Sequence, residues 1–255
     1  LERDPVIMLL IDTSSSMNSR GRGRSLLNEL IEEVTGFLAN PQLAASAIGL
    51  ILFNEQAVVA NIEARSGSDN RERILRTLLE KDTLAYASSS FSRQTTLRSS
   101  ILARETRTLE KEISLSAKTK PFRPMHRFAT LFLPFYAKAM SDHFPKLRRQ
   151  GVFKAFETIC ELSEPVLAIV MSDGKTNTEG LYEGAKYARM FQHQVLVAIL
   201  HHPERPSAVD ALWDLEELGV RVVKCPPREL WRVANASIVE MSRTRRTQVQ
   251  DKPRH

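Results

Sequence analysis

Two continuous apolar runs, each leading into a carboxylate, constrain the fold of this 255-residue chain more than any other feature. The first run is Val6–Ile11 (VIMLLI), which leads into Asp12, and the second is Val166–Met171 (VLAIVM), which leads into Ser172-Asp173-Gly174. A strand that is apolar at every position is covered on both faces, as in a parallel sheet between two layers of helices. We therefore expect two buried strands whose carboxyl ends carry acidic side chains.

Segments of helical and strand character alternate along the rest of the chain. Ile48–Phe53 and Gln56–Ile62 are predicted strands joined by a tight turn, which makes the second one antiparallel, and Asp69 is placed to cap a helix. This alternation predicts an α/β fold: a doubly wound, mostly parallel, Rossmann-like sheet with one antiparallel edge strand and helices on both faces. The other predicted elements are helices over Ser25–Leu38, Arg71–Leu79, Glu179–Phe191, Pro206–Leu218 and Arg228–Met241, and strands over Gln194–Leu200 and Val220–Val223.

One long stretch departs from this alternation. After a Ser/Thr-rich loop, Asp82–Thr95, and a helix that starts at Leu97, a single helix and turn would suffice to reach the second apolar run. We therefore interpret Arg104–Gln150 as a helical insertion within one domain over residues 1–242. A basic tail, residues 243–255, follows this domain and is expected to be disordered.

Inside the insertion, the segment Phe128–Met140 places apolar residues on one face of a short helix. The segment is too short to span a bilayer, so this face must pack against its own domain, a partner or a membrane surface. Packing on its own domain is the plainer alternative, and docking to a partner is the functional one. The residues that we assign to partner docking are Phe128, Phe132 and Phe135.

Oxygen-bearing side chains gather at the two strand ends. Asp12, Ser14 and Ser16 alternate, so that a curled loop can direct one carboxylate and two hydroxyls to the same point, and Asp173 follows the second buried strand. Ligands of open α/β sheets bind beyond the carboxyl ends of the strands, where the strand order reverses. Oxygen donors without imidazole or thiolate favour Mg²⁺, with Mn²⁺ or Ca²⁺ as alternatives, over zinc or copper.

The sequence Asp12-x-Ser14-x-Ser16, followed far downstream by Ser172-Asp173-Gly174, resembles the metal-ion-dependent adhesion site of von Willebrand factor A (vWA) domains. The resemblance implies a vWA fold that binds one divalent cation. The function that it implies is a protein–protein interaction, in which the cation holds an acidic residue of a partner.

The vWA motif also includes a threonine from the loop before the third helix. Thr95–Ile101 matches the family pattern, which points to Thr95, with Thr96 as the alternative. The resemblance implies that the hydroxyl groups coordinate the cation directly, while the carboxylates commonly act through bound water. The implied metal site therefore consists of Asp12, Ser14, Ser16, Thr95 and Asp173.

The N-terminal sequence narrows the resemblance further. Glu2-Arg3-Asp4-Pro5, running into the first strand, is similar to poorly characterised prokaryotic vWA proteins that are often encoded beside MoxR-type AAA+ ATPases. Members of that group often carry membrane helices before the vWA domain. The resemblance implies a MoxR-type ATPase or its client as a partner. We expect a cytoplasmic location, or the cytoplasmic face of the membrane if a longer chain carries an anchor.

The net charge of +6 and the sequence pI of about 9.5 favour acidic partners. Arg20, Arg22 and Arg24 follow the metal loop and would surround a bound cation with positive potential, so we assign them to partner binding. A solvated loop is the alternative for these arginines. Nucleic-acid binding is not favoured, because aromatic residues do not alternate with the basic clusters, but it remains an alternative function.

A metal-dependent phosphotransferase or hydrolase is the other alternative. Haloacid-dehalogenase phosphotransferases also place an aspartate at the end of the first strand, but they need a second one two residues later as general acid. This chain has Ser14 at that position, and no other acid or base is paired with Asp12. We therefore predict that the protein is not an enzyme.

Two cysteines, Cys160 and Cys225, occur in the chain, without a CxxC pair or a histidine at metal-binding spacing. They predict two reduced, partly buried thiols, which fits a reducing compartment such as the cytoplasm.

Overall fold

A six-stranded sheet with strand order β3-β2-β1-β4-β5-β6 lies at the centre of the computed structural model. The structure describes residues 6–18, 24–80, 144–175, 178–203 and 214–239. These residues all belong to one compact unit, formed by the chain on either side of Ser89–Asp142. The strands are β1 (Val6–Asp12), β2 (Ala47–Phe53), β3 (Val58–Arg65), β4 (Val166–Ser172), β5 (Gln194–Leu200) and β6 (Arg221–Cys225). The helices are α1 (Leu26–Leu38), α2 (Ser68–Leu79), α3 (Phe144–Leu147), α4 (Gly151–Cys160), α5 (Thr178–Met190), α6 (Asp214–Glu217) and α7 (230–239).

Parallel neighbours flank β1 on both sides. Val6 pairs with Ala47 of β2 on one side and with Val166 of β4 on the other. β5 and β6 continue the parallel sheet, whereas β3 is an antiparallel edge strand beside β2. This topology confirms the predicted doubly wound, mostly parallel sheet. Because the strand order reverses between β1 and β4, their carboxyl ends lie side by side where open α/β sheets bind ligands.

Helices cover both faces of the sheet, as the apolar strands predict. Ile7, Leu9 and Ile11 of β1 belong to a core shared with α1 and α7. Met8 and Leu10 face the other way, into a core shared with α4 and α5. Each of these five side chains is at most 2% exposed, so β1 is covered completely on both faces.

The predicted helix cap at Asp69 is wrong. α2 begins at Ser68, and the residue before it, Gly67, occupies the N-cap position with φ 110° and no side-chain cap hydrogen bond. Because glycine adopts a positive φ without steric cost, the chain turns into the helix before it reaches Asp69. Asp69 lies instead in the first turn, where its negative charge interacts favourably with the helix dipole.

Other boundaries differ from the prediction for local reasons. The strand predicted over Gln56–Ile62 begins at Val58, because the Asn54 side-chain carbonyl accepts hydrogen bonds from the N–H groups of residues 56 and 57, both at 2.9 Å, and holds them in the turn. The helix predicted from Arg228 to Met241 starts as a 3₁₀ turn at Pro227–Glu229 and continues as α7.

α4 has no counterpart among the predicted elements. It directly follows the stretch interpreted as an insertion, and its first residue, Gly151, packs on the turn between β2 and β3. The Gly151 N–H donates to the Glu55 carbonyl at 3.2 Å. The close approach of the two backbones requires a residue without a side chain at this position.

Several predictions lie wholly or largely outside the described residues. α3 and the turn to Gln150 form the described end of the predicted insertion, and α6 lies within the predicted helix Pro206–Leu218. The undescribed predictions are the loop Asp82–Thr95, the helix from Leu97, the remainder of Arg104–Gln150 and the tail 243–255.

Candidate metal centre

Asp12, the last residue of β1, has a fully buried carboxylate whose two oxygens both accept hydrogen bonds. Oδ1 accepts the backbone N–H of Ser14 at 2.8 Å, and Oδ2 accepts the hydroxyl of Ser172 at 2.6 Å. A buried carboxylate is stable only if hydrogen bonds or opposite charge replace its lost hydration. The two bonds therefore fix the Asp12 carboxylate between the loop after β1 and the end of β4.

Hydrogen bonds and core packing hold both ends of the loop after β1 in place. Both the backbone N–H and the hydroxyl of Thr13 donate to the Phe53 carbonyl, at 2.7 and 2.9 Å. Met17 is fully buried in the core, and its N–H donates to the Ser14 carbonyl at 3.1 Å to close a 3₁₀ turn. This turn brings the hydroxyl oxygens of Ser14 and Ser16 to 3.0 Å from each other, whereas the intervening residue 15 is exposed.

The chain leaves β4 through a turn that depends on Gly174. This residue has φ 75°, in the region that favours glycine, and its N–H donates to the Ser172 hydroxyl at 3.1 Å. Ser172 therefore donates to Asp12 and accepts from Gly174, and it joins the two strand ends through one oxygen. Ser172 is not among the predicted metal ligands. Its position is set by the register of β1 and β4, in which Ile11 pairs with Met171 and the next residues, Asp12 and Ser172, come within hydrogen-bond distance.

Asp173 is buried at the same edge, with a 4% exposed residue surface, but its carboxylate has fewer partners than that of Asp12. Oδ1 accepts the backbone N–H of Lys175 at 3.1 Å. Oδ2 is buried and has no hydrogen-bond partner among the described residues, although the Lys175 Nζ lies 3.6 Å away. We regard this contact as purely electrostatic, because 3.6 Å is too long for a hydrogen bond.

The structure thus brings Asp12, Ser14, Ser16 and Asp173 to the edge where β1 and β4 end. The described part of the chain contains no cluster of three or more His, Cys, Asp or Glu side chains, so a cation here would depend on two carboxylates and on hydroxyl groups. Arg24 is exposed and forms an ion pair with Glu32 of α1. The other predicted site residues lie outside the described residues: Thr95, Thr96, Arg20, Arg22, Phe128, Phe132 and Phe135.

Both cysteines are free, and both are buried, whereas the sequence predicts partly buried thiols. Burial raises the pKa of the Cys160 thiol and raises that of Cys225 to about 11, so neither is ionised at neutral pH. Among the described residues, no helix combines the length and the apolar character needed to cross a membrane.

Solved structures resemble this chain over nearly its whole length. The conserved hypothetical protein BatB from Bacteroides thetaiotaomicron aligns with a TM-score of 0.53 and 14% identity, covering 94% of this chain and 99% of that one. An aerotolerance-related membrane protein from Bacteroides fragilis NCTC 9343 gives a TM-score of 0.51 and 12% identity, with 92% and 99% covered. The PilB minor pilin of Streptococcus sanguinis gives 0.50 and 9%, with 95% and 62% covered.

At these identities the likeness concerns the fold alone. The sequence matches no protein-family model, and a search of curated proteins found no match. The six-stranded sheet, with its single antiparallel strand and helices on both faces, and the likeness to BatB lead to one conclusion: the chain has a vWA-like α/β fold.

Proposed function

We propose that this protein is a divalent-cation-dependent protein–protein interaction module, which uses a bound Mg²⁺ to hold an acidic residue of a partner. The observation that carries the proposal is the buried Oδ2 of Asp173, which has no hydrogen-bond donor among the described residues. A buried carboxylate oxygen without a donor is energetically costly, and a cation compensates that cost directly.

The donor set at this edge fits a hard cation. The oxygens of Asp12, Ser14, Ser16 and Asp173 would hold it, with Thr95 or Thr96 as the proposed threonine ligand. Ca²⁺ and Mn²⁺ prefer the same oxygen donors as Mg²⁺ and remain alternatives. When bound, Mg²⁺ would supply the positive charge that coordinates a carboxylate oxygen of the partner. The buried hydrogen bonds of Asp12 fix the direction of its carboxylate, and the pinned 3₁₀ turn keeps both serine hydroxyls at the same edge.

We expect Mg²⁺ or Mn²⁺ to raise the melting temperature of the wild-type protein. A ligand present at about 100 times its Kd stabilises the folded state by about 2.7 kcal/mol, which corresponds to roughly 5–10 °C for a domain of this size. The shift should be lost in Asp173→Asn and reduced in Ser16→Ala. Ser15→Ala is the matched control, because Ser15 lies in the same turn but is exposed. Equal shifts in all four proteins would contradict the proposed site.

Asp12→Ala is a less specific variant for this test. It removes the acceptor of two buried donors, the Ser14 N–H and the Ser172 hydroxyl, and therefore lowers stability whether or not a cation binds. Asp173→Asn preserves the shape of the side chain and removes its charge. The loss of the cation response in this variant therefore reports on the site and not on the fold.

We also propose that the protein is not an enzyme. Both carboxylate oxygens of Asp12 accept hydrogen bonds from buried donors, which supports a positioning role, and Ser14 stands where a phosphotransferase needs its acid. Purified protein with Mg²⁺ is expected to leave phosphomonoesters, nucleotides and nucleic acid unchanged in a product-release assay. Turnover that disappears in Asp12→Asn would favour the alternative, a metal-dependent phosphotransferase or hydrolase.

An acidic protein is the partner that the charge distribution supports. The net charge is +6, and we propose that Arg20, Arg22 and Arg24 attract the partner while the cation holds its carboxylate. The resemblance to vWA proteins encoded beside MoxR-type AAA+ ATPases makes such an ATPase, or its client, the first partner to test. We propose a location in the cytoplasm or at the cytoplasmic face of the membrane, which the two free, buried cysteines support. Pull-downs with Mg²⁺ and with a chelator would identify partners whose binding depends on the cation.

A further inference from the structure

Lys175 contacts both oxygens of the Asp173 carboxylate in different ways. Its backbone N–H donates to Oδ1 at 3.1 Å, and its side-chain Nζ lies 3.6 Å from Oδ2. The Lys175 side chain is 64% exposed, whereas that of Asp173 is 5% exposed. A fixed backbone N–H therefore donates a hydrogen bond to one oxygen, whereas a movable ammonium group lies near the other on the solvent side.

The negative charges of the two buried carboxylates in the site are stabilised in different ways. Asp12 accepts hydrogen bonds on both oxygens from the Ser14 N–H and the Ser172 hydroxyl. Asp173 accepts one on Oδ1, and its Oδ2 has no hydrogen bond within the described residues. A buried negative charge needs a nearby positive charge or a full set of donors. The ammonium of Lys175 supplies positive charge to this oxygen through space.

We propose that Lys175 is a tethered counter-ion, which neutralises Asp173 in the absence of a divalent cation and withdraws when one binds. The inference rests on the proposed function and concerns the regulation of the same site. A divalent cation held by Asp173 and an ammonium group a few ångströms from the same carboxylate repel each other. Lys175 therefore competes with the cation and lowers the affinity of the site.

The exposure of Lys175 makes this exchange possible at low cost. The Lys175 side chain is already 64% exposed, and the flexible four-carbon stem of lysine lets its ammonium move from the buried Asp173 into water. The pair is strong enough to compensate Asp173 in part and weak enough to be displaced. Lys175 thereby sets the concentration of divalent cation at which the site fills.

The test is a titration of the purified protein with Mn²⁺ alone, in which electron paramagnetic resonance measures the free ion. Lys175→Met is expected to bind Mn²⁺ about five-fold more tightly than the wild type at low ionic strength, and the difference should shrink at high salt. Lys186→Met is the matched control. Lys186 lies 3.6 Å from Glu183 on α5, so this variant loses the same charge from an ion pair of the same length. Its Kd, and that of Lys175→Arg, should equal the wild-type value.

The outcomes separate this inference from the proposed function. Equal Mn²⁺ affinity in the wild type and Lys175→Met, or weaker affinity in the variant, would overturn the role of Lys175 and leave the metal site intact. An equal gain in Lys186→Met would overturn it as well, because the effect would then belong to net charge. Binding by Lys175→Met but not by the wild type would support the inference in its strongest form. Absence of binding in both proteins would overturn the metal site and the inference together.

Discussion

Gly151→Ala is expected to destabilise the protein by roughly 3 kcal/mol. Gly151 is the first residue of α4, and an added Cβ there would overlap the backbone carbonyl oxygen of Asn54. The same Cβ would lie 2.6 Å from the carbonyl oxygen and 2.9 Å from the nitrogen of Ala57. Backbone atoms in a tight turn cannot rotate away as a side chain can. The helix must therefore separate from the turn between β2 and β3, which breaks the bond from the Gly151 N–H to Glu55.

Two other glycines provide a graded comparison. At Gly184 in α5, a Cβ would overlap the ring of Phe156, a side chain that can shift, so Gly184→Ala should cost about 1–3 kcal/mol. At Gly36 in α1, an added Cβ would meet no atom of the described residues within 4 Å apart from its chain neighbours and the backbone of its own helix. Gly36→Ala should therefore gain about 0.4–1 kcal/mol through helix propensity and a less flexible unfolded chain. Urea unfolding measures all three. Wild-type stability in Gly151→Ala would contradict the close packing of α4 on the turn.

The second large effect is a loss of stability on acidification, caused by His193. This side chain is fully buried, and its Nδ1 accepts the backbone N–H of Val166 at 3.2 Å. Burial lowers the pKa of His193 to about 4. Hydrogen bonding with the backbone of Ile159 raises this pKa by a smaller amount. An unfolded histidine titrates near pH 6.5, so between these two values the unfolded chain binds a proton that the folded protein does not.

Because only the unfolded chain binds this proton, acidification lowers the free energy of unfolding. The neutral imidazole contributes stability that is fully present above about pH 6.5 and is lost as the pH falls towards 4, a change of roughly 3 kcal/mol in the free energy of unfolding. His193→Asn offers an amide oxygen to the Val166 N–H but no group that titrates in this range. Denaturant unfolding from pH 7 to pH 4 should show a smaller loss in the variant, while the carboxylates titrate in both proteins. Equal losses would show that His193 is not the cause.

The sequence predicts the sheet and its ends because the information there is local. A continuously apolar run predicts a strand that is covered on both faces, and Ile7–Ile11 are indeed buried, with Asp12 following directly. The alternation of Asp12, Ser14 and Ser16 is also local, since a single turn brings the two hydroxyls together. The right-handed rule for crossover connections limits the possible strand orders but does not by itself select the order β3-β2-β1-β4-β5-β6.

Contacts between distant segments are not visible in such patterns. Asn70, which lies in the first turn of α2, is buried, and its amide donates to the carbonyls of Ile48, Glu63 and Arg65 at 2.7, 3.3 and 3.2 Å. The register irregularity between β2 and β3 leaves those carbonyls available, and the hydrophobic pattern does not encode it. The electrostatic approach of Lys175 to Asp173 likewise depends on the turn at Gly174.

The hydrogen bond between Ser172 and Asp12 joins residues that are 160 positions apart in the chain. During synthesis, the loop after β1 leaves the ribosome long before β4 exists, so its carboxylate and hydroxyls must remain solvated until the later strand pairs beside it. Closing so long a stretch of chain carries an entropic cost that is recovered only when the distant contact forms. The set of oxygens from Asp12, Ser14, Ser16 and Asp173 therefore cannot be complete in a nascent chain that ends before β4. Cation binding that depends on these oxygens would therefore begin only after translation has passed β4 and β4 has paired with β1.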